Sequence, residues 1–184
     1  MMQKRRSWPD LLAVAVAVAC LTGCQHSGPQ AKALLDGGPK EPVALNPTQL
    51  ADVQIGYARS LEKRGQEDQA LARYSEAVKQ DPNRADAWMH LAMLHDRQGK
   101  FSDSTEMYRK ALALKPGDPD IFCNLGYSFY LQQRWGEAEM NLRQAIALRP
   151  DHARAHNNLG LLLARTRHDE EALAEFRKGN AREL

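Results

Sequence analysis

The chain has few cysteines, little net charge and no apolar run long enough to cross a bilayer, and each of these absences removes a class of function. Only Cys20, Cys24 and Cys123 are cysteine among 184 residues, and the formal charge is +2. Three of the 25 basic residues and one of the 23 acidic ones precede Cys24, so the chain from Cys24 onward carries 22 of each. Binding to nucleic acid rests on an excess of cations facing phosphates, so no nucleic-acid partner is expected. The longest apolar run, Leu11 to Leu21, is 11 residues, against the roughly 20 that a membrane-spanning helix requires. The sequence also holds no glycine-rich phosphate loop, no nucleophile beside an evident base and no carboxylate pair in an apolar setting. No enzyme activity, cofactor, metal or small-molecule substrate is therefore expected.

What is present begins with an export signal over residues 1–23. Lys4, Arg5 and Arg6 supply a basic start, the apolar run follows, and small residues lead to a cysteine in Leu21-Thr22-Gly23-Cys24. This ending resembles the lipobox of bacterial lipoproteins, which implies acyl chains on Cys24 and stable anchoring to a membrane. An ordinary cleavage after Ala17-Val18-Ala19 would instead cut the apolar run short. Gln25, where an aspartate could stand, resembles lipoproteins sent on to the outer membrane, so a lipid-anchored location there, facing the periplasm, is implied. Cys20 would leave with the leader, Cys24 would be acylated, and Cys123 alone would have no disulfide partner. Residues 24–46 are rich in glycine and proline (Gly28, Pro29, Gly37, Gly38, Pro39, Pro42) and read as a flexible linker spanning on the order of 25 Å. Asn46-Pro47 then offers an N-cap followed by proline at the first helical position, where a folded domain over 47–184 is expected to start.

That domain is written in a 34-residue period. In the unit from Pro119 to His152 the fixed points are Leu125-Gly126, Ala138, Ala145 and Pro150. One period earlier stand Leu91-Ala92, Ser104, Ala111 and Pro116, and before them Tyr57-Ala58, Ala70, Ala77 and Pro82; one period later come Leu159-Gly160, Ala172 and Gly179. Within the unit, Phe122, Leu125 and Phe129 make one helical stripe and Ala138, Leu142 and Ala145 a second, with a break at Gln133 to Gly136. The period therefore predicts helix hairpins at about 51–84, 85–118, 119–152 and 153–184, each stacked on its neighbour. Gly126 and Ala138 are small because the paired helices cross there, and the proline ends the second helix.

Trp88, Leu91, Ala92, Gly99, Phe101, Tyr108, Ala111 and Pro116 resemble the tetratricopeptide repeat (TPR) pattern. The resemblance implies an all-α fold, a right-handed superhelix of about four hairpins, with the first helices lining its concave face. Three departures stand out: Gln54 fills the first large position of repeat one, Ser104 replaces alanine in repeat two, and the last repeat lacks its proline. The extra helix that caps many such stacks is also missing, so the final helix, about Asp169 to Arg182, would need a polar outer face or a partner.

The family's groove positions select Asp52, Ile55, Arg59, Glu62 and Lys63 in repeat one, then Asp86, Met89, His90, Met93, Asp96 and Arg97 in repeat two. Repeat three offers Asp120, Cys123, Asn124, Tyr127, Tyr130 and Leu131, and repeat four offers Arg154, Asn157, Asn158, Leu161 and Arg165. Adaptable methionine, flat tyrosine and amides together suit a protein or peptide partner. Asn124 and Asn158 share the sixth position, which resembles the asparagine ladder that holds an extended peptide's backbone in some TPR superhelices; the alternative is two asparagines on a solvated face. The carboxylate clamp of chaperone-binding TPRs is not supported, because Ile55 and Arg59 stand where it needs lysine and asparagine. His152 and His156, four apart, read as solvated histidines at a repeat junction rather than a metal pair, and Cys123 as an inert groove or core residue.

The implied role is a membrane-anchored scaffold that mediates protein-protein interactions in the bacterial envelope. Asn124-Leu125-Gly126-Tyr127 and Asn157-Asn158-Leu159-Gly160 resemble the TPR lipoproteins of tight-adherence (Flp, type IVb) pilus assembly, which implies helping a secretin or another pilus component assemble. Adaptors for peptidoglycan hydrolases or for envelope proteolysis are the rival reading, and a regulatory fragment of an enzyme is a third.

Overall fold

The computed structural model describes residues 44–180, which lie within one compact unit. The signal peptide, Cys24 and nearly all of the linker fall outside the described residues. Eight α-helices follow one another: α1 Pro47–Lys63, α2 Glu67–Gln80, α3 Ala85–Arg97, α4 Phe101–Leu114, α5 Pro119–Leu131, α6 Trp135–Leu148, α7 Ala153–Arg165 and α8 Asp169–Gly179. No strand occurs among the described residues. The order starts at Asn46, whose side chain accepts from Gln49 N while the Gln49 side chain accepts from Asn46 N, a reciprocal cap with Pro47 at the first helical position.

Each odd-numbered helix pairs with the helix after it, and each hairpin leans on the next through α2 with α3, α4 with α5 and α6 with α7. Neighbouring first helices also touch (α3 with α5, α5 with α7), whereas the second helices make no comparable contact with one another. The stack therefore curves with the first helices inside. This is the TPR-like solenoid that the 34-residue period implies.

The four hairpin turns are one structure repeated. Residues 65, 99, 133 and 167 all sit at positive φ, between 60° and 71°, one residue past the helix C-cap. In each, the next amide reaches back five residues: Gln66 N to Leu61 O, Lys100 N to His95 O, Arg134 N to Phe129 O and His168 N to Leu163 O, at 2.9–3.0 Å. This is the Schellman closure, which favours glycine at the left-handed position. Repeats one and two have Gly65 and Gly99 there; repeats three and four place Gln133 and Arg167 in the same backbone well.

Hairpin packing explains the small residues. A Cβ added to Gly126 would lie 2.8 Å from Leu142 Cγ, and one added to Gly160 would lie 2.8 Å from Phe176 Cδ1, so both helix pairs close only over glycine. One core joins Ala51, Ile55, Ala58, Leu61, Tyr74 and Ala77 to Ala87, Leu91 and Leu94. A second runs on from Ala92 and Tyr108 through Phe129 and Leu142 to Leu162 and Ala172.

Candidate peptide-binding groove

Because the first helices lie inside the curve, residues four apart on each of them form rows that cross from repeat to repeat. One row reads Arg59, Met93, Tyr127, Leu161 and the next reads Lys63, Arg97, Leu131, Arg165. In the second half of the stack these rows open an apolar patch: Tyr127, Leu131 and Leu161 are 40%, 39% and 44% exposed. Tyr127 stacks on Tyr130 with centroids 5.9 Å apart, and Tyr130 leans on Trp135 at 5.6 Å, so both rings are held in place before any partner arrives. Arg97, its side chain half exposed, pairs with Glu67 at 2.9 Å, and Arg165 is exposed beside Leu161.

The two asparagines of the sixth position are turned across the repeats. Asn124 Nδ2 donates to Met93 Sδ and Asn158 Nδ2 donates to Cys123 Sγ, each at 3.5 Å. Sulfur is a weak acceptor. Asn124 is buried, at 9% exposure, whereas Asn158 is half-buried, and a peptide carbonyl entering the groove would offer the Asn158 amide a better acceptor.

At the N-terminal ends of the first helices, Asp52, Asp86 and Asp120 recur at the 34-residue spacing and are met by arginines. Arg84 contacts Asp52 and lies 3.6 Å from Asp86, Arg59 reaches Asp86 at 3.1 Å, and Arg149 and Arg154 reach Asp120 at 2.8 and 3.1 Å. Burial opposes ionisation of Asp120, but the hydrogen bond and charge of Arg149, with His152 and Arg154, hold its carboxyl below the usual range. Exposed pairs of this kind contribute little stability each; here they neutralise one edge of the groove.

Several residues assigned to the groove from their positions lie elsewhere. Asp96 is buried: its carboxylate accepts from Ser104 Oγ at 2.5 Å, Ser128 Oγ at 2.7 Å and Tyr108 Oη at 3.0 Å, tying α3 to α4 and α5. Burial pushes this carboxyl above its ordinary value, against the three hydroxyl donors. Ser104 thus departs from the alanine pattern because its hydroxyl serves Asp96. Repeat one has the same arrangement 34 residues earlier, where Tyr74 donates to Glu62 at 2.6 Å. His90 completes it, stacked on Tyr74 at 4.9 Å with Nδ1 3.0 Å from Glu62, so it belongs to the repeat junction. Burial again opposes the charge of Glu62, but His90 and Tyr74 hold its carboxyl below the usual range.

Cys123 is fully buried, and burial raises its thiol pKa, so it presents no open thiol to a ligand. Asn157 faces α8: its Oδ1 would lie 2.0 Å from a Cβ at Gly179, which explains glycine where repeats one to three have alanine. His152 and His156 are not solvated, being 5% and 3% exposed. They serve separate carboxylates, His152 Nε2 lying 3.3 Å from Asp120 and His156 Nδ1 2.6 Å from Glu175. Burial lowers the His152 pKa despite Asp120. His156 Nε2 also meets Pro150 O, six residues before it, at 2.8 Å, just as the Trp88 indole N–H of repeat two meets Pro82 O at 2.8 Å. His156 therefore fills the large-residue slot of repeat four. A recess of about 260 Å³ lies beside it, between Arg143, Ile146 and Lys178, and both of its cations are already paired, Lys178 with Glu175 at 2.7 Å and Arg143 with Glu139 at 2.8 Å.

Family models of the tetratricopeptide repeat match residues 57–119 and 126–166. The chain is a tetratricopeptide repeat protein. Among solved structures this TPR chain is similar to PilF of Pseudomonas aeruginosa, at 29% identity and a TM-score of 0.67, over 73% of this chain and 62% of that one. It thus spans less than two thirds of PilF. MamA of Desulfovibrio magneticus RS-1 shares the fold at 17% identity and a TM-score of 0.62, covering 70% of this chain and 73% of that one. So does the first TPR domain of Spaghetti (RPAP3), solved with the HSP90 peptide SRMEEVD, at 21% identity and a TM-score of 0.62, over 68% and 99% of the two chains. No curated protein matches the chain. TPR domains typically mediate protein-protein interactions, and neither family model indicates a catalytic family.

Proposed function

We propose that the chain is an envelope adaptor, held to the outer membrane by acyl chains on Cys24, that grips an extended segment of a partner protein along α3, α5 and α7. The observation that carries this reading is the exposed Tyr127, Leu131 and Leu161 patch beside Asn124 and Asn158. Apolar side chains of the partner would settle on the rigid tyrosine and leucines, where aromatic residues supply much binding energy at small entropic cost. One of its backbone carbonyls would take the Asn158 amide N–H now resting on Cys123 sulfur. Neither contact distinguishes one partner sequence from another strongly, which suits an adaptor.

The pilus setting rests on the Asn124-Leu125-Gly126-Tyr127 and Asn157-Asn158-Leu159-Gly160 motifs, and the anchor rests on the signal architecture ending at Cys24. Capture from envelope extracts with the form lacking residues 1–24 tests both the adaptor and its process. Recovery of a secretin or another pilus component, lost in Tyr127→Ala and Asn158→Ala, supports the reading. Recovery of peptidoglycan hydrolases or proteases keeps the adaptor and overturns the pilus role, and recovery of no protein overturns the adaptor. Mass spectrometry of the mature chain, with Cys24→Ser as control, tests the acyl anchor.

A further inference from the structure

On the first-helix side every junction between repeats inside the stack is built alike. Each first helix turns its third and seventh positions onto the second helix of the repeat before it. Ala87 and Leu91, Ile121 and Leu125, and Ala155 and Leu159 hold those positions, none more than 6% exposed. In α1 the same register carries Val53, 56% exposed, and Tyr57, 45% exposed, with the guanidinium of Arg73 5.1 Å from the Tyr57 ring centroid.

The opposite end has the matching half. Leu173 in α8 occupies the register of Leu71 in α2, which packs into the core shared with Ala87 and Leu91, of Thr105 in α4, which is buried, and of Glu139 in α6, which pairs instead with Arg143 at 2.8 Å. Leu173 itself is 56% exposed. The exposed acids Asp169 and Glu170 lie one turn before it on α8, placed to meet the charge that Arg73 would bring.

The two end faces thus continue an interface that the chain already forms three times within itself. We infer that two copies associate head to tail, α8 of one on α1 of the next, with Leu173 seated against Val53 and Tyr57. The contact is heterologous, so each copy keeps one free end and further copies can add. The concave groove takes no part, so neighbouring grooves would run on from one copy to the next.

Sedimentation of the full chain in density-matched detergent tests this. Wild type is expected to show dimers and larger species that grow with concentration. Tyr57→Asp and Leu173→Asp, each at an exposed position, are each expected to be monomeric with unchanged helical circular dichroism and melting, and Val53→Lys repeats the first arm should Tyr57→Asp melt early. An equimolar mixture of Tyr57→Asp and Leu173→Asp restores association and stops at two, because each variant keeps the end that the other has lost. A wild type that stays monomeric at its highest soluble concentration, variants that associate like wild type, or a mixture that remains monomeric each overturns the proposal. None of these outcomes bears on the groove, which partner capture tests separately.

Discussion

Ser128 Oγ donates to Asp96 Oδ1 at 2.7 Å across 32 residues of sequence, joining the first helix of repeat three to a carboxylate buried in repeat two. With Ser104 and Tyr108 on the same carboxylate, three hydroxyls serve one buried acid, and burial still raises its pKa above the ordinary value. Burying a carboxylate charge costs far more than burying the neutral acid, so the protonated form gains on the ionised one here.

The pH dependence of stability should carry that signature. The folded pKa of Asp96 exceeds its unfolded value, so this group adds stability as pH falls through the folded value towards the unfolded one, and that stability is lost as pH rises again. Glu175 runs the other way: burial opposes its charge, but Lys178 and His156 hold its carboxyl low, so its contribution is present above its unfolded value and lost as pH falls through the folded one. In urea melts across the acid range, wild type is expected to gain on Asp96→Asn as pH is lowered and to lose its advantage over Glu175→Gln. A pH-independent gap in both comparisons would contradict the assignment.

The repeated turns make a second prediction. Gln133 and Arg167 stand at φ 60° and 64°, where the left-handed well is strained for a side chain and open to glycine. Gln133→Gly and Arg167→Gly are each expected to raise unfolding free energy by about 0.5–1 kcal/mol. Gly99→Gln should cost a similar amount, and thermal melts check all three.

Gly160 and Phe176 offer a double-mutant cycle. A Cβ at residue 160 would lie 2.8 Å from two ring carbons of Phe176, so Gly160→Ala should destabilise by about 1–3 kcal/mol. In a Phe176→Ala background the obstruction is gone, and the same substitution should instead stabilise by up to about 1 kcal/mol through helix propensity. A cost that persists in both backgrounds would show that the ring is not what excludes the side chain.

The helices and their order are legible in the sequence because a 34-residue period survives any single substitution, and because Gly126, Ala138 and Pro150 each answer to backbone geometry. Position within a repeat is a weaker guide to the groove. It states which face of a first helix a residue occupies, but not what the neighbouring repeat lays over it. Asp96, Cys123 and Asn157 leave the groove for that reason, and His152 and His156 read as solvated although Asp120 and Glu175 await them from other helices. One signal is available: Glu62 with Tyr74, and Asp96 with Tyr108, repeat at the same spacing, 12 apart and one period on, which marks a paired buried acid and phenol.

Partner binding should depend on the exposed patch and not on the fold's stability. Tyr127→Ala is expected to weaken capture of the partner about tenfold or more, on the order of 1–2 kcal/mol, while leaving the melting temperature close to wild type because the ring is 40% exposed. Asn158→Ala should weaken it as well, and Met140→Ala, on α6 and 64% exposed, should leave it unchanged.

The most direct measurement places a photo-crosslinking phenylalanine analogue at residue 127 in one strain and at residue 140 in another, and illuminates living cells. A discrete crosslinked protein partner is expected from residue 127 and none from residue 140. Crosslinks from 140 alone, or from neither position where the chain is shown to be folded and present, would contradict a partner held along the first helices.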